Sequence, residues 1–518
     1  MLRFPSIALF AALPLFLVSP GKGQSYPFPQ HLHYAEGTIR PSQFTQEQQD
    51  RDVRAYYDVW KKDYVKEAGL DPDTGKPLFR VATAKDLPES GQTVSEGQGY
   101  GMVIVALMAG HDPEARALFD GLYRFAQLHP GKVSPHLMQW KVPIDPRAAS
   151  TAFDGDADIA YGLMLAHAQW GSAGAISYQK EANAVLDALL KHCTGPRSRL
   201  PMLGDWVAAD GGGRHNQFTV RSSDFMPSHF RTWARFSGNP VWNEVAQRCA
   251  ELVSIIQEKH SPATGLLPDF IVDADPLSAA KPAGPRFLEK DQDGDYYFNA
   301  GRAPWRLGLD ALLNGNPVSR VQATKMATWA KNATQGDAGR IKAGYTLAGG
   351  DLPGNGYFST FFASPFGVAA MLNAENQTFL DSIYAKVRDS HQNYYPDTVN
   401  LLCLLTMTGN YWDPTTLKSQ AKWSGRGRSA LQLIRSIRQA VEHAVHETTR
   451  IGGAETFRQF DRFVDRDLRR NAGVKDFVGR QAENRPIDRI DTLGHVVFDH
   501  GTDAFVELLF LREHPAGE

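Results

Sequence analysis

Ser95-Glu96-Gly97-Gln98-Gly99-Tyr100-Gly101-Met102 runs directly into an apolar stretch at helical spacing over residues 101–108. A buried helix needs neither a carboxylate nor repeated glycine where it begins. Two readings of Glu96 follow. As a helix-start acid it would offset the positive end of the macrodipole, worth only fractions of a kcal/mol. As a site residue it would face a ligand. The glycines favour the second reading, because three in five positions admit a backbone or ligand close by, at a conformational cost a plain helix start would avoid. Ala152-Phe153-Asp154-Gly155-Asp156-Ala157-Asp158-Ile159-Ala160-Tyr161 repeats the pattern, with carboxylates again at a helix N-terminus. The Asp154, Asp156, Asp158 run is not an EF-hand calcium loop: that loop needs Gly sixth and Glu twelfth, where Ile159 and Leu165 stand. The run beginning at Asp291 fails in the same way, with Tyr296 and Arg302 in those places. No metal site and no cofactor is expected.

Outward from these stretches, apolar residues recur at helical spacing over 115–128, 159–170, 182–190, 225–236, 241–258, 304–313, 320–331, 361–372 and 398–407. Alternation of period two is scarce. The intervening loops are alternately short and long. The long ones, 203–216 and 266–303, are rich in Gly, Pro, Asp and aromatic residues, and loops of that length inside a compact domain are usually functional. A dozen or so helices so spaced predict an all-α fold of paired helices stacked in rings, an α/α barrel with a groove at one end. A plain solenoid would show a repeat of constant period, and none is visible.

The bulk composition narrows the classes. The chain has 518 residues, 42% hydrophobic and 22% charged, which is globular rather than disordered or fibrous. Lys plus Arg number 55 against 57 Asp plus Glu, so the net charge of -2 gives no argument for nucleic acid or an anionic membrane as partner. Residues 1–24 read as a secretory signal: Arg3, an apolar run over 4–18 and a small-residue exit with cleavage near Gly23. Pro5 and Pro14 would interrupt an anchor helix. The mature chain is expected outside the cell or in the periplasm, without stable membrane insertion, as a monomer. Cys193, Cys249 and Cys403 stand in apolar helical patterns, which predicts buried free thiols. Residues 423–518 are rich in Arg and helical in period, a basic appendage of no assigned role beyond the main domain over 30–415. Most such basic faces are merely solvated.

The two acidic stretches, together with Arg302-Ala303-Pro304-Trp305-Arg306 and Tyr394-Tyr395-Pro396-Asp397-Thr398, resemble glycoside hydrolase family 8. The resemblance covers roughly residues 30 to 412, with several motifs agreeing in order. It implies an (α/α)6 barrel, a reaction that inverts the anomeric centre, Glu96 as general acid and Asp154 as the acidic residue ordering the sugar at subsite -1. One position departs. Many members carry an Asp base where this chain has Asn299, and an amide cannot accept the proton. The chain therefore resembles the subgroup, chitosanases and lichenases among them, whose base is a Glu in the preceding loop, and Glu289 matches it. Asp293 and Asp295 compete for that role, or else are solvated turn residues beside Gly294.

An inverting enzyme needs a protonated carboxyl and a carboxylate about 6.5 to 9.5 Å apart. Glu96 should then have a raised pKa through burial, and Glu289 should sit in a wetter, hydrogen-bonded place. Sugar rings need flat apolar faces, and Trp140, Trp206, Phe298 and Tyr394 or Tyr395 could supply them, with Trp206 at a stacking position by resemblance. Trp233 and Trp305 lie on helical patterns and are assigned to the core. Tyr100, Asp224, Asn299 and Arg302 are assigned to the sugar site or its immediate support, against a purely structural ion pair for Arg302 and Asp224. The substrate so implied is a β-linked polysaccharide. Glucan, β-1,4 or mixed-linkage, leads. Chitosan follows, and would favour free carboxylates such as Asp205, Asp210 and Asp224 along the groove. A third reading is a non-catalytic polysaccharide-binding protein on a decayed barrel, of which Asn299 would be the first sign.

Overall fold

Two kinds of helix alternate along the chain, and their alternation builds the barrel. The computed structural model describes residues 24–86 and 91–416; the basic region 423–518 and residues 1–23 of the expected signal lie outside the described residues. In chain order the helices are α1 (Gln46–Tyr64), α2 (Ser95–Leu107), α3 (Ala115–Leu128), α4 (Phe153–Trp170), α5 (Tyr178–His192) and α6 (Pro227–Ser237). They continue as α7 (Val241–Lys259), α8 (Ala303–Asn314), α9 (Pro317–Thr334), α10 (Thr360–Ala370), α11 (Gln377–Val387) and α12 (Tyr394–Met407). Among the even-numbered helices, α2, α4, α8, α10 and α12 bury almost every side chain, whereas odd-numbered helices such as α3 bury one face only. A helix apolar all round belongs inside and an amphipathic one outside.

The even-numbered helices touch in sequence, α2 to α4, α4 to α6, α6 to α8, α8 to α10, α10 to α12, and α12 back to α2. That closes an inner ring of six. Each odd-numbered helix packs outside, α1 on α12, α3 on α2, α5 on α4, α7 on α6, α9 on α8 and α11 on α10. The fold is the all-α (α/α)6 barrel that the helix pattern and the family motifs imply.

The two ends of the barrel differ. At the end where the inner helices finish, the segment after residue 24 forms a strap that takes up carbonyls lacking helical partners. Backbone N–H groups of Ser25, Phe28, Leu32, Ala35 and Ile39 donate to the carbonyls of Gln169, Ala109, Gly409, Leu312 and Met371 at 2.6–3.2 Å. At the opposite end the inner helices begin, and long loops gather there.

Seven short strands occur among the described residues, where period-two patterning is scarce, because strands of two to six residues are too short to show alternation. β1 (Val65–Leu70) and β2 (Pro77–Val81) form a hairpin, and β3 (Thr93–Val94) pairs antiparallel with β4 (Lys141–Val142) in front of α2. β5 (Val220–Arg221), β6 (Phe270–Val272) and β7 (Lys281–Pro282) form a three-stranded antiparallel sheet. Its register sets Arg221 opposite Phe270 and ties the long 266–303 loop to the start of α6.

The glycines of the opening stretch serve packing between protein elements. A Cβ on Gly99 would lie 2.7 Å from the Gly155 carbonyl oxygen, so α2 and α4 meet backbone to backbone. A Cβ on Gly97 would collide with the Tyr394 hydroxyl of α12. A Cβ on Gly155 would lie 2.7 Å from the Ser95 carbonyl carbon, with nothing flexible to give way. Gly155→Ala should therefore lower the unfolding free energy by about 1–3 kcal/mol, seen as a lower urea midpoint. An unchanged midpoint would show that the two helices are not in backbone contact.

Candidate active site

Arg302 is a full positive charge at the mouth of the inner ring with 1% of its side chain exposed, so the chain must surround it with acceptors. It precedes α8 on a short turn. One guanidinium nitrogen, Nη1, donates to Glu96, to the Asp154 carboxylate at 3.0 Å and to the Tyr100 hydroxyl at 3.1 Å. The other, Nη2, donates to the Ser223 hydroxyl at 2.9 Å and to the side-chain oxygen of Asn299 at 3.0 Å. Four inner-ring entrances thus converge on one cation.

Glu96 and Asp154 occupy the second positions of α2 and α4, where the positive ends of two macrodipoles meet. Shared surroundings push the two carboxyls apart. Burial raises Glu96 to about 8, with Asp154 adding to the rise and Arg302 opposing it. Asp154 is buried too, but Arg221 and then Arg302 hold its carboxyl down at about 2. One group is a carboxylic acid at neutral pH and the other an anion.

Glu289 is joined to Arg302 through Asn299 and is more open than Glu96, with 39% of its side chain exposed. Oε1 accepts from Arg221 at 3.2 Å, and Oε2 accepts from the Asn299 amide nitrogen at 3.1 Å. Asn299 therefore donates to Glu289 and accepts from Arg302. An Asp in its place could accept from Arg302 but would set a third carboxylate against Glu289 and Asp269. The loop bearing Glu289 is shaped by Asp293, whose buried carboxylate accepts the backbone N–H groups of Leu288, Glu289 and Lys290 at 2.7–2.9 Å. Asp293 is thereby occupied. Asp295 is partly buried, its pKa raised by that burial, and no hydrogen bond joins it to Arg302 or Asn299 among the described residues.

The remaining residues divide by exposure. Trp140 and Trp206, 40% and 42% exposed, stand on loops at this end; the Trp140 carbonyl accepts the Ser95 N–H beside Glu96, and Trp206 meets the His215 ring edge-on. Tyr394 sits over Gly97, and its buried hydroxyl has no hydrogen-bond partner among the described residues. Tyr395 stacks on Phe361 with the Arg302 guanidinium 5.9 Å from its ring centre. Phe298 is packed among Phe361, Phe362 and Tyr395 and so plugs the aromatic cluster. Trp233 and Trp305 are fully buried, and the three cysteines are buried free thiols. Tyr100 and Arg302 are sealed; Arg302 meets the carboxyls, and the Tyr100 hydroxyl meets Arg302. Asp224 is corrected in one respect: it is wholly buried against Arg221 at 3.7 Å, because it lies on the buried turn Ser222–Asp224 that follows β5, and it supports the site without facing a sugar.

Two residues are absent from the sequence reading. Arg221 touches Glu289 and approaches Asp154 at 4.0 Å and Asp224. Asp269 accepts the backbone N–H groups of Tyr297, Asn299 and Ala300 at 2.7–3.1 Å and so anchors the turn that carries Asn299. Burial pushes Asp269 up to about 7, against those N–H donors. A lone Arg before two serines and a lone Asp in a long loop carry no local signal; a long loop needing internal anchors is the one hint for Asp269.

An (α/α)6 barrel with an acid, an anion and exposed indoles at one end belongs to the glycoside hydrolases, and comparison with known proteins gives the family. The pattern of glycosyl hydrolases family 8 matches residues 42–409, and the chain belongs to that family. A β-glucanase of Niallia circulans is 36% identical over 417 residues, 79% of this chain and 98% of that protein. An endoglucanase of Bacillus sp. (strain KSM-330) is 36% identical over 392 residues, 75% of this chain and 82% of that one. The solved apo structure of a β-1,3-1,4-glucanase from Paenibacillus sp. X4 superposes with a TM-score of 0.70 at 36% identity, covering 76% of this chain and all (100%) of that one.

Removing the Asp269 carboxylate strands the buried N–H groups of Asn299 and Ala300, each costing about 1–3 kcal/mol, and the part-buried one of Tyr297. Asp269→Ala should unfold at a clearly lower temperature and lose activity together; native stability would show that the Asn299 turn does not rely on it.

Proposed function

We propose that the chain is a secreted, inverting endo-β-glucanase acting on β-1,4 or mixed-linkage glucan, with Glu96 as general acid and Glu289 as general base. The observation that carries this reading is the Asn299 amide, which donates to Glu289 and accepts from Arg302. An amide suits a position between a cation and an ionised base. Protonated Glu96 gives its proton to the glycosidic oxygen as the bond to the anomeric carbon breaks. A water on the opposite face of the sugar attacks that carbon, and its proton passes to Glu289. The product carries the inverted configuration, and solvent returns each carboxyl to its starting state. Asp154, held ionised, hydrogen-bonds sugar hydroxyls near the developing positive charge and cannot serve as an acid at working pH. Trp140 and Trp206 stack on rings of the chain.

Charge favours a neutral polymer over chitosan. A cationic glucosamine chain calls for unclaimed carboxylates, and of the three expected to serve only Asp210, 70% exposed in a surface ion pair, is open to solvent. Asp205 accepts the Thr151 N–H at 2.8 Å, Asp210 pairs with Arg197 at 3.4 Å and with Gln217 at 2.9 Å, and Asp224 is buried with Arg221. The names of the related β-glucanase and endoglucanases support the same choice. Export suits an enzyme whose substrate cannot enter a cell; N-terminal sequencing of protein from the medium, with a first residue near Gln24, would test it.

Reducing-end release should be faster on lichenan or cellulose than on chitosan, and NMR of the fresh product should show the α-anomer; faster chitosan cleavage, or a β-anomer, would overturn the corresponding part. Glu96→Gln and Glu289→Gln should each lower kcat by about 10²–10⁴, whereas Asn299→Ala only weakens it. Because the acid must be protonated, kcat/KM should fall as pH rises through about 8, where Glu96 ionises. A profile flat through that range would exclude Glu96 as the acid.

A further inference from the structure

Arg221, with 11% of its side chain exposed, lies between Glu289 and Asp154. Its Nη2 donates to Glu289 at 3.2 Å, and its Nη1 lies 4.0 Å from Asp154 and 3.7 Å from Asp224. Its seat is built. The antiparallel register pairs it with Phe270, whose buried ring lies 5.4 Å from the guanidinium carbon. Beside it, Asp224 has no exposed surface; one carboxylate oxygen accepts from the Ser223 hydroxyl at 3.4 Å, and the other, without a hydrogen-bond partner among the described residues, faces the guanidinium. Such a carboxyl is costly to bury unless it holds a cation in place. Asn299 binds the other oxygen of Glu289, so Arg221 completes a two-point grip on that carboxylate.

We propose that Arg221, seated on Asp224, is a positioning residue that fixes Glu289 for proton abstraction and holds it at a set spacing from Asp154. The role rests on the assignment of Glu289 as base. A carboxylate bound at both oxygens keeps one orientation, with its remaining lone pairs directed at the attacking water; freed from Arg221 it can rotate about the loop side chain and lose the water. The effect therefore falls on turnover and spares ground-state binding. Burial, opposed by Arg221, raises Asp224 to about 7, so the seat is itself near its ionisation point.

The test uses the full-length enzyme with soluble lichenan. Arg221→Gln should lower kcat about tenfold or more, the scale of one lost charge-assisted hydrogen bond, with KM within about twofold. Arg221→Lys, which restores the charge without the fork, should recover part of the loss. Asp224→Asn, which keeps shape and removes the seat's charge, should lower kcat in the same direction by less. The role is overturned if Arg221→Gln keeps native kcat, if KM rises with kcat intact, or if Lys recovers nothing at matched melting temperature. Should Arg221→Gln not fold, the Lys and Asn variants decide alone: native kcat in both overturns the proposal. Glu289→Gln separates the two claims. If that variant stays active, the base assignment and the Arg221 role fall together; if it is dead while Arg221→Gln is normal, only the Arg221 role falls.

Discussion

The structure turns on a buried guanidinium. Arg302 cannot lose its proton and has almost no contact with water, so its charge has to be answered by protein atoms. Those atoms come from α2, α4, the turn before α6 and the turn before α8, and their convergence requires all four entrances to lie at one end of the ring. The inner helices run in the same direction because each is separated from the next by one outer helix, which brings their N-termini together. The strap at the other end takes up carbonyls that the same parallel arrangement leaves there.

Around that cation two carboxyls of the same chemistry acquire opposite states. Asp154 is held down first by Arg221 and then by Arg302 and stays an anion; for Glu96 burial and the neighbouring Asp154 anion outweigh Arg302 and the weaker pull of Arg221, and it keeps its proton. Neither state follows from a single contact. Glu289 stands outside this buried pair, gripped by Arg221 and Asn299 but open to solvent.

Much of this was legible in the chain. Apolar runs at helical spacing located the inner helices, because a helix buried on all sides cannot hide its composition. The acids at two helix starts stood out because glycine and carboxylate together are poor helix material. The same glycines were open to two readings, close backbone or close ligand, and packing decided for backbone and the Tyr394 ring. Asp293 was indistinguishable from a base candidate in sequence; three backbone N–H groups make it the clamp of the Glu289 loop. Asp224 looked like a groove carboxylate and proved to be sealed, since nothing local shows that the turn after β5 is buried.

The sequence by itself determined the helix alternation, the family, and the stretches that carry Glu96, Asp154, Asn299 and Arg302, which the fold brings together. Each of these rests on a composition or spacing within a few positions, where backbone preferences act. Tertiary structure alone decided their charge states and their partners. Arg302 meets Glu96 across 206 residues and Arg221 meets Glu289 across 68, so these pairings exist only once the ring has closed. Burial and Coulomb interaction depend on distance in space, and no distance along the chain encodes them.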